Sequence, residues 1–244
     1  MSAILVLGEP GSGKSRAIKN LDPKKTVIIK PNNKPLPFPG WQKNYGATNM
    51  FMMQTFEGVY NLIVGWDPKE KKKTGKGIND AQQITTVVIE DFTHYMTKKV
   101  IDDANITGYQ KWTEMGVKVF NNIIQLEAVV RPTLDIILIG HVTATQDAAG
   151  NVEIGLQTAG KLLDQVVKIP SYFTYILHTV IDYSSGEQPI YQFQTNRDDR
   201  RLAKTPEKMF PLFIDNDYAI VLDRIHKYNA GEIDFEAEEA TKTK

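Results

Sequence analysis

Between Gly8 and Ser15 the chain reads Gly-Glu-Pro-Gly-Ser-Gly-Lys-Ser, the spacing G-x-x-x-x-G-K-[ST]. These residue types suit an anion. Gly8, Gly11 and Gly13 open backbone conformations closed to residues with a Cβ, so successive N–H groups can turn inward on phosphate oxygens. Lys14 then reaches the β- and γ-phosphates of a nucleotide, and the Ser15 hydroxyl is offered to Mg²⁺. Glu9, Pro10, Ser12 and Arg16 complete the stretch that encloses the phosphates. Eight-residue patterns also arise by chance in glycine-rich turns, so the flanking elements decide. Ala3-Ile-Leu-Val-Leu7 reads as a short buried strand ahead of it. Ser15-Arg-Ala-Ile-Lys-Asn-Leu21 reads as a helix beginning near Gly13, whose positive end adds to the same anion site.

A second chemical stretch follows Thr85-Thr-Val-Val-Ile89, an apolar and β-branched run ending in Glu90-Asp91. Acid at the C-terminal end of a buried strand can hold Mg²⁺ through water, and a neighbouring carboxylate can orient an attacking water. The alternative is a helix N-cap, since Phe92 to Ile101 is helix-compatible. Position directly after the apolar run favours Glu90 for the metal. Asp91 is the second candidate, metal-linked or water-polarising, and spacing leaves the division open. His141 ends another buried strand, Asp135-Ile-Ile-Leu-Ile-Gly-His-Val142, beside the crevice where open α/β sheets bind ligands. It is either a γ-phosphate sensor or an ordinary hydrogen-bonded histidine.

Composition narrows the class. The chain has 244 residues, 41% hydrophobic and 24% charged, which suits one sizeable domain over residues 1–231. The sequence has no cysteine, which excludes disulfides, thiolate metal sites and cysteine nucleophiles, and four scattered histidines speak against a zinc site. With 29 basic and 29 acidic residues there is no global field drawing it to nucleic acid. No apolar run approaches the roughly 18 residues of a membrane span. With a strand starting at Ala3, no leader peptide and a cytoplasmic location are expected.

The elements that position these residues follow from periodicity. Thr26-Val-Ile-Ile29 is a second strand, implying a βαβ unit and a parallel sheet. Pro31 to Trp41 is a proline-rich loop with Phe38 and Trp41 turned to the core. Thr55 to Val64 is helical, with Phe56, Val59, Tyr60 and Ile63 on one face. Gln110 to Val130 reads as one long amphipathic helix, its aromatics core rather than a base-stacking platform. Thr143 to Thr158 is a hairpin or a ligand-ordered loop. Tyr172–Tyr183 and Pro189–Thr195 are strands of a β-hairpin appended to the parallel core. Asn216 or Asp217 caps a last helix closed by Gly231, and residues 232–244 are expected to be a disordered tail.

Two basic stretches remain. Asp67 to Gly77 carries Lys69, Lys71, Lys72, Lys73 and Lys76, either a solvated loop or a DNA-contacting finger. Arg197, Arg200, Arg201 and Lys204 are either surface charges balanced by Asp198 and Asp199 or trans-acting cations that complete a neighbour's site as an arginine finger does.

With these pieces placed, the chain resembles small phage-encoded ATPases of the RecA-like P-loop class, the group that includes phage single-strand annealing and recombination ATPases. The resemblance rests on Gly8 to Ser15, Lys34-Pro-Leu-Pro-Phe38, Val87-Val-Ile-Glu-Asp-Phe92, Ile139-Gly-His-Val142, Thr158-Ala-Gly-Lys161, and Thr195-Asn-Arg, Ala203-Lys-Thr-Pro206, Met209-Phe210 and Asn216-Asp217. It spans the chain to about Asn229. Glu90 stands where such proteins usually have aspartate, and no separate DNA-binding domain is evident. The resemblance implies an α/β fold of RecA-like P-loop type, a mostly parallel central sheet flanked by helices, and ATP and Mg²⁺ as ligands. It also implies a homo-oligomeric ring or filament with sites near subunit boundaries, in the host cytoplasm. Its partners would be single-stranded DNA and a single-stranded DNA-binding protein. The function expected is an Mg-dependent ATPase acting on single-stranded DNA in recombination or replication. The alternatives are a nucleotide-gated scaffold for a protein partner and a P-loop small-molecule kinase.

Overall fold

The structure is a computed structural model that describes residues 1–146, 149–184, 186 and 188–235. The expected tail lies outside the described residues from 236 onward. Twelve strands are described: β1 (Ala3–Leu7), β2 (Thr26–Lys30), β3 (Met50–Met52), β4 (Trp66–Asp67), β5 (Lys72–Lys73), β6 (Thr86–Ile89), β7 (Asp135–Gly140), β8 (Val142–Gln146), β9 (Val152–Leu156), β10 (Tyr175–Asp182), β11 (Ile190–Gln194) and β12 (Phe213–Asp215). The α-helices are α1 (Trp41–Asn44), α2 (Phe56–Val64), α3 (Phe92–Asp102), α4 (Gln110–Val119), α5 (Leu126–Val129), α6 (Lys161–Val166) and α7 (Tyr218–Asn229).

Eight strands form one sheet in the order β12-β11-β10-β1-β7-β6-β2-β3. The strands from β10 to β3 run parallel, while β11 and β12 are antiparallel additions at one edge. The chain is therefore α/β, with a mostly parallel central sheet and helices on both faces. Strands buried on both faces read as continuous apolar runs, as β1, β6 and β7 do. The period of two sorts their side chains. Leu5, Leu7, Val27, Ile29, Val87, Ile89, Ile136 and Leu138 face one core with Phe56, Phe92 and Tyr95. Ile4, Val6, Ile28, Val88, Ile137 and Ile139 face the other with Leu36, Phe38, Tyr218 and Val221.

β1 and β2 are parallel in one sheet as expected, with β7 and β6 lying between them. Several expectations change. The connection after Ser15 is a single 3-10 turn, Arg16–Asn20, rather than an α-helix, and the backbone turns extended at Leu21. Asp22-Pro23 explains this, since proline excludes the residue before it from helix and leaves room for about one turn. The long helix expected over 110–130 is interrupted by a π-turn, Phe120–Ile124, with the Gln125 N–H donating to the Phe120 carbonyl. That turn re-phases the chain so that Met115, Val119, Ile123 and Leu126 all reach the core. The C-terminal hairpin is no appendage: β10 pairs parallel with β1 inside the central sheet.

Other expectations stand. Phe38 is buried and Trp41 packs partly against the same core. Residues 142–156 form the antiparallel hairpin β8–β9; its positions 147 and 148 lie outside the described residues. The Thr55 hydroxyl accepts the Gly58 N–H ahead of α2, and the Asp217 carboxylate accepts the Ala219 N–H ahead of α7. No described helix is long and apolar enough to cross a membrane.

Phe56 is 2% exposed and its ring lies 5.9 Å from those of both Phe92 and Tyr95. Phe56→Ala opens a cavity under the sheet, and we expect a loss of about 3–5 kcal/mol. Urea unfolding should report it as a lower midpoint with an unchanged slope.

Candidate functional site

The parallel strands end along one edge of the sheet, and their last residues bring the candidates together. Gly8 leaves β1, Lys30 ends β2, Glu90 follows β6 and His141 follows β7. Because β7 lies between β1 and β6, His141 emerges between the phosphate-loop sequence and the acidic pair. A cavity of about 230 Å³ opens there, with Lys14, Ser15, Lys30, Lys34, Glu90, Asp91 and His141 on its walls.

The loop is clamped from below. Gly8 has no room for a Cβ, which would lie 1.7 Å from the Thr179 Oγ1. The Ser12 and Thr179 hydroxyls meet at 2.5 Å, and between them they reach the Glu9 carbonyl at 2.6 Å and the Leu7 carbonyl at 3.2 Å. Gly13 has φ +103°, and a Cβ there would strike Tyr191 at 2.8 Å. The Tyr218 hydroxyl, buried beneath, donates to the Lys14 carbonyl at 2.8 Å. Glu9, Pro10, Gly11 and Arg16 are exposed on the outer side, with the Arg16 guanidinium 4.9 Å from the centre of the Tyr191 ring.

Lys14 is 7% exposed, and its Nζ donates to the Gly8 and Glu9 carbonyls at 2.7 and 2.8 Å. Burial lowers its pKa from 10.5 to about 8, against the opposing pull of Asp91, Glu9 and Glu90. Two carbonyls do not replace the hydration of an ammonium, so an anion in the cavity would be attracted strongly.

Glu90 faces this lysine side. Burial raises its carboxyl pKa, while the Ser15 side-chain hydrogen bond and the Lys30 charge oppose the rise. Its Oε1 is buried with no hydrogen-bond partner. Asp91 occupies the N-cap position of α3 in left-handed geometry, φ +54°, yet makes no side-chain cap bond. Its Oδ1 instead lies 3.3 Å from His141 Nε2. Burial would raise the Asp91 carboxyl, but the bond and charge of His141, with His94 and Lys14, outweigh it and hold the carboxyl below its ordinary value. The His141 N–H donates to Thr93 Oγ1 at 3.0 Å, which fixes the turn, and its ring Nδ1 is buried without a partner.

The second basic stretch stands apart from the cavity walls. Arg197 pairs with Glu153 at 3.4 Å, Arg201 with Asp198 at 2.9 Å, and Arg200 lies 4.0 Å from Asp199. Lys204 is exposed, its backbone bonded to Ile176 beside β10. The first stretch forms the small ribbon β4–β5, with Lys71, Lys72 and Lys73 exposed.

Sequence reasoning did not single out Lys30, Thr179 or Tyr191, nor place Lys34 on the cavity wall. Lys30 is 3% exposed, its Nζ donates to the Lys34 carbonyl, and burial lowers its pKa against the pull of Glu90. Its signal was legible: a lysine closing the apolar strand Thr26–Ile29 at the edge where ligands bind. Thr179 and Tyr191 carried none, because only the pairing of β10 with β1 and β11 brings them under the loop. The chain matches no family model, and no curated protein matches it.

Two measurements test this geometry. Gly8→Ala overpacks against Thr179 and should cost about 1–3 kcal/mol, partly recovered in the double variant with Thr179→Ala. Lys14 has its pKa lowered in the fold, so the unfolded chain binds the extra proton between pH 8 and 10.5 and stability rises with pH across that window. NMR titration of the Lys14 side chain should give a midpoint near 8, moved back toward 10.5 by magnesium tripolyphosphate.

Proposed function

We propose that this chain is a magnesium-dependent ATPase of the RecA-like P-loop type, acting on single-stranded DNA. The observation that carries the reading is one cavity in which Lys14 and Ser15 face Glu90, whose Oε1 is buried and unpartnered. Lys14 neutralises the β- and γ-phosphates. The loop N–H groups supply the rest of the cradle, since a one-turn 3-10 helix adds little dipole.

The donor set fits magnesium. Among the described residues no group of three or more histidines or carboxylates is gathered for a metal. Mg²⁺ takes one or two protein oxygens, with phosphate and water completing its octahedron. The Ser15 hydroxyl and the Glu90 carboxylate would hold it, and the ion would supply charge to the phosphate oxygens. Asp91, ionised and oriented by His141, is the group placed to accept a proton from an attacking water. His141, bonded through its backbone to α3 and through its ring to Asp91, then responds to the charge in the cavity.

DNA contact is assigned to the lysine ribbon β4–β5 and to the Arg197–Lys204 stretch. Each is a modest patch on a neutral chain, and a ring or filament of copies repeats it along one strand. In such an assembly Arg197, Arg200, Arg201 and Lys204 would exchange their intrachain carboxylates for a neighbour's phosphates or for DNA. A single-stranded DNA-binding protein is the protein partner proposed.

The test is ATP hydrolysis with and without single-stranded DNA, for the wild type, Lys14→Ala and Glu90→Gln. We expect stimulation by DNA and a loss of roughly 100-fold or more in either variant, the scale of removing one phosphate-stabilising group. ATP binding with no response to DNA at low salt would overturn the DNA assignment in favour of a nucleotide-gated scaffold.

A further inference from the structure

Next to the phosphate cavity lies a broader groove of about 740 Å³, and Arg16 and Tyr191 line both. Small-molecule sites commonly fill roughly 300–1,000 Å³. The lysine cavity, at about 230 Å³, is too small for a whole nucleotide. Whatever places a triphosphate on Lys14 has its remaining half elsewhere.

Charge separates the two spaces. The cavity sets Lys14, Arg16, Lys30 and Lys34 against Glu90 and Asp91, an excess of cations, whereas the groove sets Arg16 against Asp215 and Asp217, an excess of anions. A polyanion is favoured in the first and repelled from the second, so an uncharged moiety belongs in the groove. Its walls suit a flat ring with polar edges. Ile190 and Ile220 are apolar and exposed, at 42% and 46%. The Tyr191 ring already carries the Arg16 guanidinium, a platform on which an aromatic ring can stack.

Between the two spaces lies an unpaired amide. Asn216 lines the groove, is 5% exposed, and neither its Oδ1 nor its Nδ2 has a hydrogen-bond partner. A buried amide left unpaired on both atoms costs free energy that nothing within the fold recovers. Its Oδ1 lies toward Gly13, where a Cβ would come within 3.0 Å of it, so the amide sits beneath the loop at the junction of groove and cavity.

We propose that this groove is the nucleoside subsite: base and ribose of a nucleoside triphosphate lie against Tyr191 and Arg16, with Ile190 and Ile220 as its apolar lining. The inference rests on the phosphate-loop reading and adds where the other half of the ligand sits. Asp215 and Asp217 set its direction, phosphates first into the lysine cavity.

The experiment is calorimetric titration of the full chain with magnesium tripolyphosphate, ATP and GTP. At least one nucleotide should bind more tightly than tripolyphosphate by roughly five- to 150-fold, the worth of one base stacked on an aromatic ring. Ile220→Trp, at an exposed position, fills the groove without changing charge. It should erase that advantage and leave tripolyphosphate affinity within about twofold, and Ile190→Trp, at another exposed position that lines the groove and not the cavity, should act likewise. Two results overturn the subsite while the phosphate-loop reading survives: tripolyphosphate binding as tightly as both nucleotides, or the nucleotide advantage persisting in both variants. Failure of all three to bind overturns the phosphate-loop reading itself, and the subsite with it.

Discussion

A buried ammonium has to be surrounded by oxygen, and much of the described site follows from meeting that need at Lys14. Its own loop supplies two carbonyls, from Gly8 and Glu9. That geometry holds because the loop cannot drift: Thr179 closes on Gly8 and Ser12 from β10, and Tyr218 grips the Lys14 carbonyl from α7. The carboxylates of Glu90 and Asp91 lie close enough to oppose the loss of charge, though burial dominates. The result is a cation with less solvation than it would have in water, poised for a polyanion.

The sheet order converts that local arrangement into a site. Inserting β7 between β1 and β6 separates the glycine loop from the acidic pair by two strand spacings, about 10 Å, and puts His141 at the mouth of the gap. Asp91 then turns away from capping α3 and toward His141, accepting a left-handed backbone to do so. A carboxylate used as a cap would point at amide groups of its own helix. Here it points across the strand ends instead, and a position that reads as a helix start becomes part of the cavity wall.

Opposing charges in the cavity keep their balance through burial as well as contact. Glu90 and Lys30 are each penalised by desolvation and each favoured by the other's charge. Neither is a free surface group, and a change at one alters the other. The basic groups at Arg197, Arg200 and Arg201 are the contrast: exposed or nearly so, paired with nearby carboxylates, and worth little to stability.

The sequence by itself determined the local pieces. Continuous apolar runs marked β1, β6 and β7 as buried strands, the glycine spacing located the loop, and acids or a histidine at strand ends nominated Glu90, Asp91 and His141. These are legible because strand burial and glycine conformations depend on neighbours a few residues away. The short 3-10 turn after Ser15 and the π-turn at Phe120–Ile124 were harder, since each replaces a helix whose periodicity is otherwise intact. Only the tertiary structure decided which strand lies beside which. It alone placed Thr179, Tyr191 and Asn216, more than 160 residues along the chain, beneath the loop, and buried Lys30 opposite Glu90. Such contacts form between strands distant in sequence, whose pairing is set by how two cores pack on one sheet rather than by any local pattern.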